Sequence, residues 1–327
     1  MRIAINGMGR IGRLLFKRLI EIENFEVLAV NDLIPIENLA YLLRYDSIYG
    51  TYKDQIKTEG QSLIINNKKI IYVQNENPEE LPWDEMNIDV VLECSGKFSD
   101  KISASKHLTA GAKKVLLSTT GADDIPLLVY GHNQNGSISH LKILSPGGCM
   151  TNCSVHILYI LNSIGIRSAH INILHSYTSR QSLVDAAHVQ FRRGRAASES
   201  IIPVAIDLNI ALDRLLPSLQ NKINVFSTRV PVANGAMAEF TIQLEESITA
   251  REVNKLFKTA AQTEYKGILD YTEEPLVSLD IKSNTNSCII DGTQTSAIDN
   301  HVRVVAWFDN EYGFTSRMID WLRYWNK

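Results

Sequence analysis

The stretch Arg2-Ile3-Ala4-Ile5-Asn6-Gly7-Met8-Gly9-Arg10-Ile11-Gly12-Arg13 decides the fold. Residues 2–6 alternate and are rich in β-formers, which predicts a strand. Glycines follow, and residues 11–20 then carry a helical apolar face. The glycines read G-x-G-x-x-G, a pattern that gains meaning from the strand before it and the helix after it. Such glycines let backbone N–H groups approach a pyrophosphate at a helix N-terminus, where the helix dipole favours negative charge. A second strand over residues 25–31 ends at Asp32, whose carboxylate suits an adenine-ribose diol and would repel a 2′-phosphate. Dinucleotide binding with NAD favoured over NADP is therefore expected. Gly7, Gly9, Arg10, Ile11, Gly12 and Asp32 are its candidate residues.

Outward from this unit, strands and helices alternate. Residues 89–96 form a short apolar run closed by Ser95-Gly96, as a strand buried on both faces requires. Residues 104–110 read as helix, and residues 113–118, 127–130 and 141–145 as further strands. The expected fold is α/β: a Rossmann-type doubly wound parallel sheet over residues 1–148. After Cys149 the texture changes. A helix over residues 149–164 leads to a strand over 170–177, and residues 178–200 show weak periodicity. Strands near residues 224–231, 236–245, 288–291 and 302–308 alternate apolar and polar residues. They predict a second, α+β domain over residues 149–311 with a mainly antiparallel sheet. A last helix within residues 312–327 is expected to join the first domain.

Composition bounds the rest. The 327 residues suit two domains, and 45% hydrophobic with 21% charged residues is ordinary for a globular chain. A net charge of −3 supplies no general field for nucleic acid. No apolar run nears the roughly 18 residues of a membrane span. Arg10 and Arg13 interrupt the N-terminal apolar stretch, so no secretory signal is expected. Cys94, Cys149, Cys153 and Cys288 form no disulfide framework, which points to a reducing cytoplasm. No metal-ligand cluster stands out.

Cys149 lies where a strand ends and a helix begins, in Ser145-Pro146-Gly147-Gly148-Cys149-Met150-Thr151-Asn152-Cys153. A lone cysteine is more often buried packing. At a helix N-terminus, however, the dipole stabilises a thiolate. A fall in pKa from about 8.5 to about 6 would raise the thiolate fraction at pH 7 from roughly 3% to roughly 90%. Cys153, one turn on, reads as packing. A cysteine nucleophile needs a base, and His175 at the end of the following strand is the candidate.

Taken together, these residues resemble the glyceraldehyde-3-phosphate dehydrogenases and the related erythrose-4-phosphate dehydrogenases. The resemblance spans the chain. Its anchors are residues 5–13, Cys149 with Thr151-Asn152-Cys153, His175-Ser176-Tyr177-Thr178, Arg192-Arg193-Gly194-Arg195-Ala196-Ala197, Ile201-Ile202-Pro203, Arg229-Val230-Pro231 and Trp307-Phe308-Asp309-Asn310-Glu311-Tyr312-Gly313. Residues 267–273 and 291–295 look more like the erythrose-4-phosphate branch.

The resemblance implies that Cys149 attacks an aldehyde and His175 takes the proton. Hydride then passes to NAD and leaves a thioester. It places Asn310 on the nicotinamide carboxamide, and Ser95, Gly96 and Ser118 along the cofactor. By the same resemblance, the segment after Thr178 looks like the family's S-shaped loop, which packs near NAD at a subunit interface of a homotetramer. Thr178, Arg180, Arg195 and Arg229 are the candidates for the substrate phosphate. Departures from the family pattern cluster at the second phosphate site: Gly148, Met150, Ile206 and Asp207 replace three hydroxyl donors and add a carboxylate. Like charges about 4 Å apart repel by roughly 4 kcal/mol at intermediate dielectric. The expectation therefore leans to an erythrose-4-phosphate type of enzyme with hydrolytic release. A phosphorylating glyceraldehyde-3-phosphate dehydrogenase and a catalytically weak NAD-binding partner protein are the alternatives. Ala186 and Ala187, small where the family often has Leu-Pro, leave room for some NADP use.

Overall fold

The computed structural model describes residues 1–134 and 138–325. The chain divides into two compact units. One comprises Met1–Tyr130, Gln134–Gly148 and the residues from Arg317 onward; the other comprises Gly131–Asn133 and Cys149–Ser316.

In the first unit, β1 (Arg2–Asn6), α1 (Arg10–Leu19) and β2 (Glu26–Asn31) form the βαβ start expected of the glycine motif. Then come α2 (Ile36–Arg44), β3 (Ile56–Thr58), β4 (Ser62–Ile65) and β5 (Lys68–Val73). The unit continues with β6 (Val90–Glu93), α3 (Lys101–Thr109), β7 (Lys114–Leu117) and β8 (Ile143–Leu144). The sheet order is β8-β7-β6-β1-β2-β5-β4-β3. Pairings from β8 to β5 are parallel, and the two at the β3 edge are antiparallel. Ile3, Ala4, Ile5, Val90, Val91 and Leu92 are fully buried, because the central strands are covered on both faces. Residues 127–130, expected as a strand, contribute only one isolated bridge, Leu127 to Ser145.

The second unit opens with α4 (Cys149–Asn162) and β9 (Ile166–Ser176), followed by β10 (Ile202–Val204), α5 (Leu208–Leu215), β11 (Ile223–Val230) and β12 (Ala236–Leu244). Next are α6 (Ala250–Gln262), β13 (Leu269–Thr272), β14 (Cys288–Asp291), β15 (Ser296–Ile298) and β16 (His301–Phe308). The sheet runs β10-β11-β9-β12-β16-β14-β13, with β15 paired to β16. It is mainly antiparallel, but β9–β11 and β13–β14 are parallel. α4 is buried along nearly all of its length. The last helix, α7 (Tyr312–Trp325), starts in this unit and continues into the first.

Residues 178–200 contain one short 3-10 turn, Phe191–Gly194. Backbone bonds from Ser182 N to Arg193 O, Ala186 N to Gly194 O and Ala197 N to Ser182 O lace the segment. Gly194 permits the crossing, since a Cβ there would lie 2.2 Å from the Ala186 carbonyl oxygen.

A buried charge cluster fixes the start of α1. Asp46 accepts bonds from Arg10 at 2.9 Å, Ile48 N at 2.9 Å and Tyr49 N at 3.2 Å, with Lys17 at 3.5 Å. Burial alone would raise the Asp46 carboxyl, but these N–H donors and Arg10 overcome it and hold the group at about 2. A carboxyl depressed on folding stabilises the protein in full above its ordinary value near 3.8, and that contribution is lost as pH falls toward 2. Asp46→Asn should therefore lower stability at neutral pH by about 1–2 kcal/mol, after allowing for solvent around Arg10. Urea melts of wild type and variant should converge near pH 2; a constant gap across the acid range would count against this account.

Candidate active site

The glycine turn of the first unit is shaped by close approach. Gly7 has φ +90°, and a Cβ on it would lie 2.4 Å from Ser95 N. A Cβ on Gly12 would lie 2.0 Å from the Gly7 carbonyl oxygen. A Cβ on Gly9 would meet nothing within 4 Å, so the backbone there faces open space. Gly9 caps α1 without a side-chain bond, so no side chain competes with an anion at this helix end. Asp32 overhangs the turn and accepts a bond from Met8 N at 2.5 Å and from Leu33 N at 2.7 Å. These features fit a dinucleotide: small residues where its pyrophosphate must come close, and a carboxylate one strand away.

Beneath the turn lies a buried polar hub that sequence reasoning missed. Glu93 ends β6 and is 2% exposed. One carboxylate oxygen accepts from Asn6 Nδ2 at 2.6 Å and faces His107 Nε2 at 2.9 Å. The other accepts from Ser95 N at 2.7 Å and from the Ser95 hydroxyl. Trp83 Nε1, a donor only, bonds His107 Nδ1 at 3.1 Å. The His107 proton therefore sits on Nε2, and the Glu93 carboxyl faces four donors. Asn31 extends the hub by donating to Asn6 Oδ1 at 2.7 Å. Ser95 thus spends its hydroxyl on Glu93. Ser118 N bonds the Glu93 carbonyl at 2.9 Å, and Gly96 takes φ +71°.

In the second unit, α4 begins at Cys149, and its Sγ lies 3.7 Å from His175 Nε2. β9 delivers His175, which is 3% exposed and packs edge-on against Phe308. His175 Nδ1 lies 2.8 Å from the Ser176 carbonyl, which can only accept. The ring proton therefore sits on Nδ1, and the Nε2 lone pair faces the thiol as a base should.

The protonation state differs from the sequence expectation. Burial pushes the Cys149 thiol up to about 11, although the Arg229 guanidinium and the N–H groups of Met150 and Cys149 oppose the rise. Burial, together with Arg229, holds His175 down at about 3. The resting pair is a neutral thiol beside a neutral imidazole, not a preformed thiolate. The helix end favours charge as expected, but desolvation outweighs it.

Arg229 stands beside this pair, with Arg193 and Arg180 close to Arg229. Arg229 is 6% exposed and donates through Nη1 to the Ser176 carbonyl at 3.1 Å. Burial first, with Arg193 and Arg180, lowers it to about 10 against the pull of Cys149. Arg193 is lowered by burial and by Arg180. Arg229 Nε, Arg193 Nη1 and Gln181 Nε2 are buried and make no hydrogen bond. Gln181 Oε1 accepts from Thr178 N at 3.2 Å, and Thr178 Oγ1 accepts from Arg180 N at 3.4 Å. Mutually repelling cations with orphaned donors are matched by an oxyanion. The structure thus gathers Thr178, Arg180 and Arg229. Arg195, also expected here, instead donates to Asp185 at 3.0 Å on the open surface. Arg193 takes its place. Both arginines flank Gly194 in a segment without periodicity, so the sequence could not choose between them.

A dinucleotide turn in one unit and a cysteine–histidine pair with an anion-binding cluster in the other define an NAD-dependent oxidoreductase acting on an aldehyde. Two family models match: "Glyceraldehyde 3-phosphate dehydrogenase, NAD binding domain" over residues 1–101 and "Glyceraldehyde 3-phosphate dehydrogenase, C-terminal domain" over residues 148–310. "Glyceraldehyde-3-phosphate dehydrogenase 2" of Bacillus subtilis (strain 168) is 40% identical over 327 residues, covering 99% of this chain and 96% of the relative. The glyceraldehyde-3-phosphate dehydrogenase of Geobacillus stearothermophilus is 40% identical over 328 residues, covering 99% and 98%. That of Borreliella burgdorferi is 39% identical over 329 residues, covering 98% of each. The chain belongs to the glyceraldehyde-3-phosphate dehydrogenase family, and its cofactor is NAD.

A thiol held near 11 makes a kinetic prediction. Alkylation of Cys149 by iodoacetamide, followed by mass spectrometry, should accelerate steadily from about pH 7 to about pH 9 without a plateau. A plateau reached by about pH 6.5 would show a preformed thiolate instead.

Proposed function

We propose that the enzyme oxidises glyceraldehyde 3-phosphate through a Cys149 thioester. The orphaned donors of Arg229, which neighbours the Cys149–His175 pair, and of Arg193, which neighbours Arg229, carry this reading. The relatives are named for that three-carbon substrate, and they lend no support to the erythrose-4-phosphate lean. The substrate phosphate is assigned to Arg193 and Arg229, with Thr178 and Arg180 at the rim.

The chemistry follows from the proton inventory. Cys149 Sγ bonds to the aldehyde carbon as its proton moves to His175 Nε2. His175 returns the proton to the aldehyde oxygen, giving a thiohemiacetal. His175 then takes the hydroxyl proton as the carbonyl reforms, which leaves an acyl thioester on Cys149. NAD, when bound, supplies the acceptor for the hydride that departs from carbon. An acyl acceptor finally releases the product and returns the thiol. Asn310, Ser95, Gly96 and Ser118 are assigned to cofactor contact.

The identity of the acyl acceptor is a second reading. Gly148, Met150 and Ile206 offer no side-chain hydroxyl, and Asp207 is exposed and caps α5 without a side-chain bond. These residues favour release by water over attack by inorganic phosphate. We also assign the chain to the cytoplasm and to a homotetramer. Four free cysteines fit the first assignment. Exposed Val189 and Phe191 in the laced segment, with Phe226 on the open sheet face, fit the second. Among the described residues, no helix is long and apolar enough to cross a membrane.

NADH formation with glyceraldehyde 3-phosphate and erythrose 4-phosphate, each with and without inorganic phosphate, tests substrate and acceptor together. Faster turnover of the three-carbon aldehyde, independent of phosphate, is expected. A strict phosphate requirement would overturn the water reading, and preference for the four-carbon sugar would overturn the substrate assignment. Arg193→Ala should raise KM for the aldehyde by roughly 10- to 100-fold, as loss of a charge-assisted contact implies. Arg195→Ala should change it by less than about threefold, as expected of a surface ion pair.

A further inference from the structure

Ser176 is buried and serves two functional groups at once. Its carbonyl receives His175 Nδ1 and Arg229 Nη1. Its hydroxyl lies 3.1 Å from Asn310 Oδ1. Gly235 N, which can only donate, lies 2.9 Å from the same Oδ1. That contact settles the orientation of the amide: the atom facing Gly235 must be oxygen. The Ser176 hydroxyl has one proton, and it goes to Oδ1. The weaker 3.4 Å approach of His175 Nδ1 falls on the serine oxygen as acceptor.

Asn310 therefore has its acceptor engaged by two donors, while its Nδ2 makes no hydrogen bond among the described residues. We propose that Ser176 is a positioning residue that locks the Asn310 amide as a pure donor, so that this position recognises a carbonyl acceptor on the pyridine ring of the cofactor. The inference rests on the assignment of Asn310 to the nicotinamide carboxamide. Without the serine, one donor still holds the oxygen, but the amide plane gains freedom. The defect should thus be confined to ligands that carry the carboxamide.

Ser176→Ala removes one oxygen and adds no volume. Calorimetric titration should show NAD bound three- to tenfold more weakly, the loss expected for one neutral hydrogen bond. ADP-ribose, which lacks the nicotinamide, should bind as it does to wild type and so report an intact fold. Ser176→Cys keeps a weak donor and should fall between the two. In an Asn310→Ala background, Ser176→Ala should have no further effect on NAD binding. Equal weakening of NAD and ADP-ribose, or no weakening of either, would overturn the proposal. If Asn310→Ala itself leaves NAD binding unchanged, the assignment of Asn310 fails first. If Asn310→Ala weakens NAD selectively but Ser176→Ala does not, only the role of the serine fails.

Discussion

A buried strand that ends inside a protein must hand its last polar groups to something other than a neighbouring strand. Unpaired and buried, each would cost about 1–3 kcal/mol. Both units meet this constraint with a side chain at or next to the strand terminus, and both times the solution builds functional geometry. At the end of β6, Glu93 gathers Ser95, Asn6 and His107, which fixes the turn against which Gly7 packs. At the end of β9, the Ser176 carbonyl collects His175 and Arg229, and its hydroxyl holds Asn310. The reactive imidazole owes its tautomer to the same need for a partner.

Buried donors without a hydrogen-bond partner include three from residues 181–229. Arg193, Arg229 and Gln181 keep unpaired donors; burial pushes both arginines down, Arg180 adds to each, and Arg193 adds to Arg229. Near this charge, a neutral thiol and a neutral imidazole make a quiet resting state. The field of Arg229 opposes the desolvation of Cys149 while it further suppresses protonation of His175. One cation thus acts on the two partners in ways that cannot both favour an ion pair.

The parts legible in the sequence were those set by local periodicity or tight turns. The glycine motif between β1 and α1 is read directly, because backbone approach excludes any side chain at Gly7 and Gly12. Asp32, Cys149 and His175 are legible because each ends a recognisable strand or starts a helix. The Glu93 hub was not, since Asn6, Trp83, Glu93 and His107 are far apart in the chain and each alone looks unremarkable. The sequence does not rank Arg193 against Arg195, because a segment ordered by crossing backbone bonds carries no period that tells inside from outside. The helix-end effect on Cys149 was visible, but its desolvation depends on atoms from β9, β11 and beyond. The strand edge at β3–β5 turns at Gly60 and at Asn66-Asn67, all at positive φ, so its turn residues are written in the sequence.

α7 begins immediately after the Asn310 segment and continues into the first unit. There Trp321 is fully buried and meets Tyr130 edge-on, Tyr324 donates to the Gln134 carbonyl at 2.8 Å, and Lys114 lies over the Trp325 ring. A ribosome makes these residues after the second unit. The N-terminal sheet therefore waits through the synthesis of the whole second unit before its final aromatic wedge arrives. Until then it exposes the apolar seat of Trp321, so a sheet begun before the second unit is completed only after it. Such long-range closure slows folding and leaves a window in which the nascent chain depends on its surroundings to stay unaggregated.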